Sequence, residues 1–192
     1  MIPYIRAQHR AGKKIKFLEI GLGCKMGYGP GVSVKLWKNL FLETDEIWEA
    51  EYEEKCVEMA REEKKLEGIH VVTGDQGNIT TLNRWVQETG GDFDIVIDDG
   101  GHQYKLILNS IQVLWPQVKP GGLYFIEDLQ VEPTMTDHIK GWIDQLLLTT
   151  ERKNHPSVIP KNVRNIMCQR EACVLSKCAP NHNDGATYCS DL

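Results

Sequence analysis

Residues 14–23 read KIKFLEIGLG, an apolar run that enters an acid and then two glycines spaced by one residue. A short apolar run bounded by turn residues is the pattern of a strand buried on both faces, so Lys14–Gly21 is expected to be a central strand. Ser33 is expected to cap a helix over VKLWKNLF, whose Val34, Trp37, Leu40 and Phe41 recur at helical spacing. Strand, glycine turn and helix in that order are the opening of a parallel α/β unit.

The same alternation continues outward. Glu46–Ala50 predicts a second strand, and a helix over Tyr52–Leu66 is expected to turn Cys56, Met59 and Ala60 inward and to stop at Gly68. Ile69–Thr73 follows as a strand, Leu82–Val86 as part of a helix, and Phe93–Ile97 as a strand running into Asp98 and Asp99. A helix from Gln103 to Trp115 is expected to end at Pro116. The KPGG turn at Lys119–Gly122 then leads into LYFIED, a strand that again ends in acids. Beyond it lie a helix, HIKGWIDQLLL, with Ile139, Trp142, Ile143, Leu146 and Leu147 at core spacing, and a hairpin of VRNIMCQ with ACVLSK. The sum is one α/β domain over residues 1–192. It is a doubly wound, mostly parallel seven-stranded sheet with a C-terminal antiparallel hairpin, a core over about 15–177 and a flexible tail over 179–192.

Composition narrows the function. With 22 basic and 27 acidic residues the net charge is -5, which offers no basic footprint for a phosphate backbone, so nucleic acid is not an expected partner. No apolar run approaches the length of a membrane span, and residues 1–16 are too polar for a signal peptide, which points to a cytoplasmic protein with no membrane partner. A homo-oligomer is left open. Six cysteines include no Cys-x-x-Cys pair. Cys56 and Cys168 sit in apolar patterns and are read as small buried hydrophobes rather than disulfides, while Cys178, His182 and Cys189 form a minor zinc alternative.

Open parallel sheets bind ligands beyond the carboxyl ends of their strands. After the first strand a dinucleotide fingerprint needs a third glycine where Met26 stands, and Glu19 would repel a pyrophosphate. A ligand carrying a cation suits Glu19 better. Further along, Asp98 and Asp99 end one strand while Glu127 and Asp128 end the next. Four carboxylates in one cleft call for a hard divalent cation, magnesium before manganese or calcium.

FLEIGLG resembles the first motif of the Rossmann-like class I S-adenosylmethionine-dependent methyltransferases, and DIVIDDGGH with LYFIEDL resembles the metal-dependent O-methyltransferases of macrolide and other natural-product sugars. The resemblance covers about Ile15–Lys177. It implies that Glu19, Gly21, Gly23, Glu51, Asp75, Gln76 and Asp98 contact S-adenosylmethionine, with Glu51 on the ribose hydroxyls, Glu49 as the runner-up, and Asp75 on the adenine amine. It implies that Asp99, Glu127 and Asp128 bind Mg2+ or another hard divalent cation, and that His102 is the base that deprotonates a small-molecule hydroxyl acceptor. Only about 14 residues precede the first strand where the family carries a covering segment, so the cover is expected to be missing or the chain to be a fragment. Competing readings are a catechol-type methyltransferase, a catalytically impaired cofactor-binding module and, more distantly, a nicotinamide oxidoreductase.

Overall fold

The computed structural model describes residues 1–147, 158–179 and 189. In chain order the elements are α1 (Ile2–Arg10), β1 (Lys16–Ile20), α2 (Val32–Leu40), β2 (Glu46–Glu51), α3 (Glu54–Glu62), β3 (His70–Thr73), α4 (Ile79–Thr89), β4 (Phe93–Asp98), α5 (Tyr104–Leu114), β5 (Val118–Ile126), α6 (Pro133–Leu147), β6 (Val163–Gln169) and β7 (Ala172–Lys177). The seven strands form one sheet in the order β3-β2-β1-β4-β5-β7-β6. The first five run parallel, and β7 is antiparallel to both β5 and β6. The expected doubly wound sheet with its antiparallel hairpin is therefore the observed one. Strand order reverses between β1 and β4, which is where such sheets open a ligand crevice.

Alternation along each strand divides the sheet into two packed faces. On one, Phe17, Ile47, Ile95 and Ile97 meet Ile5 of α1 and Trp37 of α2, with Phe17 and Trp37 ring centroids 4.9 Å apart. On the other, Leu18, Ile20, Val96, Tyr124 and Ile126 pack under Leu82 and Trp85 of α4, Ile107 of α5, and Ile139 and Trp142 of α6. Full burial of an aliphatic or phenyl side chain here contributes about 1.5–3 kcal/mol, so the two faces carry most of the fold. No helix among the described residues is long and apolar enough to cross a membrane.

Several local expectations are corrected. Ser33 does not cap α2. The cap is Gly31, held left-handed at φ 81°, and the Ser33 hydroxyl is taken by the Glu19 carboxylate at 2.7 Å. Helix α3 is shorter than its polar pattern suggested because Lys64 adopts φ 57° and closes the turn. Cys56 and Ala60 are buried as expected, but Val57 joins them in place of Met59, which is exposed. Leu147 is likewise exposed rather than core. The segment before β1 is a helix that docks Ile5 into the core and donates from Tyr4 Oη to Asp94 at 3.0 Å.

The cysteine reading is overturned as well. Cys56 is joined to Cys24, Cys168 to Cys173 and Cys178 to Cys189, so neither Cys56 nor Cys168 is a free thiol and the zinc alternative loses both its cysteines. Apart from residues 179 and 189, the expected tail lies outside the described residues, as does His182.

Candidate functional site

A cleft of about 520 Å³ opens at the carboxyl ends of β1, β2, β3 and β4, with Asp128 reaching it from beyond β5. Gly21 and Gly23 follow β1, Glu51 ends β2, Asp75 and Gln76 follow β3, and Asp99 and His102 follow β4; all of them line it. Thus Glu51, Asp75, Asp99 and Asp128, far apart in the chain, share one cavity. Gly21 sits at φ 110°, and a side chain there would run into the Asp99 carbonyl. Only glycine lets the turn after β1 press against the turn after β4.

Parity sorts the acids. Glu19 is in register with Glu49 and with Ile97, whereas Ile20 is in register with Asp98. Side chains alternate between faces, so Glu19, Glu49, Glu51 and, one step past the strand, Asp99 stand on one face, and Asp98 stands on the other. Asp98 is not a cleft residue. It is 1 % exposed, accepts from Gln76 Nε2 at 2.6 Å and Tyr124 Oη at 3.1 Å, and burial pushes it up to about 6 against the pull of those donors.

Glu19 and Glu49 also fall below the cleft floor. Glu19 accepts from Ser33 Oγ and, at 2.8 Å, from Trp37 Nε1, and burial raises its pKa. Glu49 is fully buried, both its oxygens lack a donor, and burial followed by the Glu19 charge raises its pKa well above the carboxylate range. Burial and the neighbouring Glu19 both favour the protonated form of Glu49, and Glu49 is not among the residues that line the cleft. Glu51 does reach the cleft. Its Oε2 accepts from Leu22 N and its Oε1 from Glu53 N, each at 3.0 Å, and each oxygen keeps a second lone pair for a ligand hydroxyl.

Asp75 is exposed at the rim and accepts from Gly77 N at 2.7 Å. Gln76 is committed: both amide protons go to Asp98 Oδ1 and Ser110 Oγ, and Oε1 accepts from Gly101 N at 2.9 Å. It fastens the turns after β3 and β4 to α5.

At the far end of the cleft, Asp99, His102 and Asp128 each offer a ligand atom, all within 4.8 Å of one another. Glu127 is not in that set, although its charge bears on Asp99. Burial first, then Glu127, Glu19, Asp128 and Asp98, drive Asp99 up to about 7. Glu127 is itself raised by burial and by Asp128. His102 Nε2 lies 3.6 Å from Asp128 Oδ2, and burial lowers the imidazole pKa more than Asp128 restores it. His102 and Asp128 both hold left-handed backbone, φ 52° and 53°, a conformation that costs a non-glycine residue about 1 kcal/mol or more and concentrates at functional sites.

Acids crowded together, with no lysine or arginine ion pair on Asp99, Glu127 or Asp128 among the described residues, suit a hard dication with oxygen ligands. The glycine turns, Glu51 and the rim at Asp75 suit a nucleoside. Sequence reasoning missed Cys24, Lys25, Met26, Tyr28, Tyr52 and Leu106 as cleft-lining residues; Met26, Tyr28 and Tyr52 are large and exposed.

Comparison with known proteins agrees with this geometry. No family model matches the chain. Over 121 residues, 61% of the chain, it is 38% identical to demethylmacrocin O-methyltransferase of Streptomyces fradiae, and over 119 residues 36% identical to mycinamicin VI 2''-O-methyltransferase of Micromonospora griseorubida. The curated proteins it resembles are sugar O-methyltransferases of macrolide and polyketide pathways. Among solved structures it superposes on MycE methyltransferase of the mycinamycin biosynthetic pathway, in complex with Mg, SAH and mycinamycin VI, with a TM-score of 0.71 and 25% identity over 94% of this chain. It spans 50% of that chain and matches 28% of each of the two curated relatives. The fold is that of the class I, Rossmann-like methyltransferases.

Proposed function

We propose that this chain is an S-adenosylmethionine-dependent, magnesium-dependent O-methyltransferase domain acting on a hydroxyl of a small molecule, a sugar or polyketide-like natural product. The observation that carries the reading is the convergence of Asp99, His102 and Asp128 from two strand ends on the cavity that also holds Glu51 and Asp75. Gly21 and Gly23 would admit the cofactor to the backbone, Glu51 would hold the ribose hydroxyls and Asp75 the adenine amine. Asp99 and Asp128, with Glu127 beside them, would hold the cation. When bound, the cofactor supplies an electrophilic methyl group and the cation supplies the charge that acidifies an acceptor hydroxyl.

The chain's own residues divide the remaining work. Burial favours the neutral form of His102, so its imidazole would accept a proton from the acceptor hydroxyl, and the nearby Asp128 carboxylate would stabilise the imidazolium that forms. If His102 Nε2 instead ligated the cation it could not act as base, so the two roles separate experimentally. Glu19 and Asp98 act from beneath, Glu19 tying α2 to β1 and Asp98 setting Gln76 under the turn at Gly101. We place the protein in the cytoplasm, without nucleic acid or membrane partners.

The test is transfer of a labelled methyl group to glycosylated macrolide and polyketide acceptors, with magnesium or with chelator. His102→Asn is expected to lower kcat by about 10²–10⁴ while leaving cofactor affinity intact. Turnover that is equal with and without chelator would overturn the metal assignment. Unchanged turnover in the variant would remove His102 as base.

A further inference from the structure

The loop between β1 and α2 is tethered to the body of the protein unevenly. Its root is secured, since Leu22 is buried, its N–H is held by Glu51 and its carbonyl accepts from Gly31 N at 3.0 Å. From Cys24 to Tyr28 the backbone bonds are internal turns, Met26 N to Gly23 O and Gly29 N to Met26 O. Cys24 packs against the buried cluster of Leu22, Val34, Val57, Ala60 and Leu66, and among the described residues two further links reach outward from this tip. One is the ion pair of Lys25 Nζ with Glu53 at 3.3 Å, with the lysine also over the Tyr52 ring; it is exposed and therefore weak. The other is covalent, Cys24 to Cys56 on α3, across 32 residues of sequence.

That bond closes one wall of the cleft. Cys24, Lys25, Met26 and Tyr28 line the cavity on the loop side, and Glu51 and Tyr52 line it at the end of β2, just before α3. Fixing Cys24 to Cys56 fixes the loop tip against the segment that presents Glu51. We propose that Cys24–Cys56 is a thiol–disulfide exchange site that clasps the loop over the cleft and sets ligand affinity by redox state. The ligand named here rests on the function proposed above; the clasp does not.

Access decides which sulfur of this bond is attacked. Cys24 is half-buried at the cavity and Cys56 is buried, so an incoming thiolate meets the Cys24 sulfur and Cys56 departs as thiolate. With a small dithiol as reductant, its first sulfur bonds to Cys24, Cys56 takes up a proton, and its second sulfur then displaces Cys24 as a thiol. Two electrons and two protons pass to the protein, and the reductant leaves as a cyclic disulfide. A cytoplasmic setting would supply dithiols of this class.

The experiment compares the oxidised full chain with the chain reduced by dithiothreitol, reading backbone hydrogen exchange over residues 22–31 and the Kd for S-adenosylhomocysteine by calorimetry. Reduction is expected to speed exchange across the loop about tenfold or more while β4 stays protected, and to weaken the ligand several-fold. In Cys168→Ser/Cys173→Ser both responses should persist. In Cys56→Ser, or Cys24→Ser if that variant does not fold, the loop should exchange fast whether reductant is present or not. Loop exchange indifferent to reduction in the wild type, or peptide mapping that finds Cys24 unlinked to Cys56, would overturn the clasp. If the exchange responds as expected but S-adenosylhomocysteine binds in neither state, the clasp stands and the cofactor assignment falls.

Discussion

Asp98 and Asp99 are neighbours in sequence and opposites in the fold. Asp98 turns into the core beneath α4 and α5, where an amide and a phenol donate to it. Asp99 turns into the cleft, where burial first and then four other carboxylates push its proton affinity up, and where none of the described residues donates a hydrogen bond to its side chain. One peptide unit of alternation thus separates an acid whose partners are all internal from an acid that requires something from outside. A satisfied buried carboxylate reads as architecture. A carboxylate raised by its own kind and left without donors reads as a site.

The contrast can be broken first at Asp99. Asp99→Asn is expected to reduce magnesium-stimulated methyl transfer by about a hundredfold or more, since a catalytic dication is worth several kcal/mol, while leaving the protein folded and S-adenosylhomocysteine bound. A variant as active as wild type would end the distinction. Asp98→Ala should do the reverse. It strands the donors of Gln76 and Tyr124 in the core, and chemical denaturation should show a loss of about 3 kcal/mol; unchanged stability would mean that the network is incidental.

A third expectation uses pH. Asp98 at about 6 and Asp99 at about 7 both lie above the ordinary aspartate value of about 3.9. The folded state therefore binds these protons more tightly than the unfolded chain does. Their contribution is fully present below about pH 4 and is lost as pH rises through about 6 and then about 7. In metal-free protein, Tm should fall over that window, and Asp99→Asn should flatten its upper part. A Tm curve identical in the two proteins would remove the like-charge crowding from the account. The smallest expected effect is Ser110→Ala, which deletes one acceptor from Gln76 and should cost about 1 kcal/mol with turnover intact.

The sequence made the sheet and the location of the cleft legible because strands buried on both faces declare themselves as apolar runs, and their carboxyl ends declare themselves as acids and glycines. It did not make parity legible, for the same reason. In FDIVID every residue is buried, so hydrophobicity carries no label for which face a side chain takes, and Asp98 reads as a cleft residue beside Asp99. Glu49 and Glu51 share a face, yet the two-residue step between them separates a side chain sealed in the sheet from one at the cleft. Ser33 had the chemistry of a helix cap, but Glu19, distant in sequence and near in space, competed for its hydroxyl. Cys24 and Cys56 meet only because a crossover brings α3 beside the glycine loop, which no local pattern encodes.

The left-handed backbone at His102 and Asp128 narrows what either position can accept. Glycine, asparagine and aspartate tolerate that geometry, whereas valine, isoleucine and threonine pay for it with a crowded Cβ. In a saturation library scored for folding alone, both positions should therefore discriminate by side-chain branching and be nearly blind to charge. Scored for turnover, that ranking should dissolve and chemistry should take its place, so the two maps together would separate what the chain needs to stand from what it needs to work.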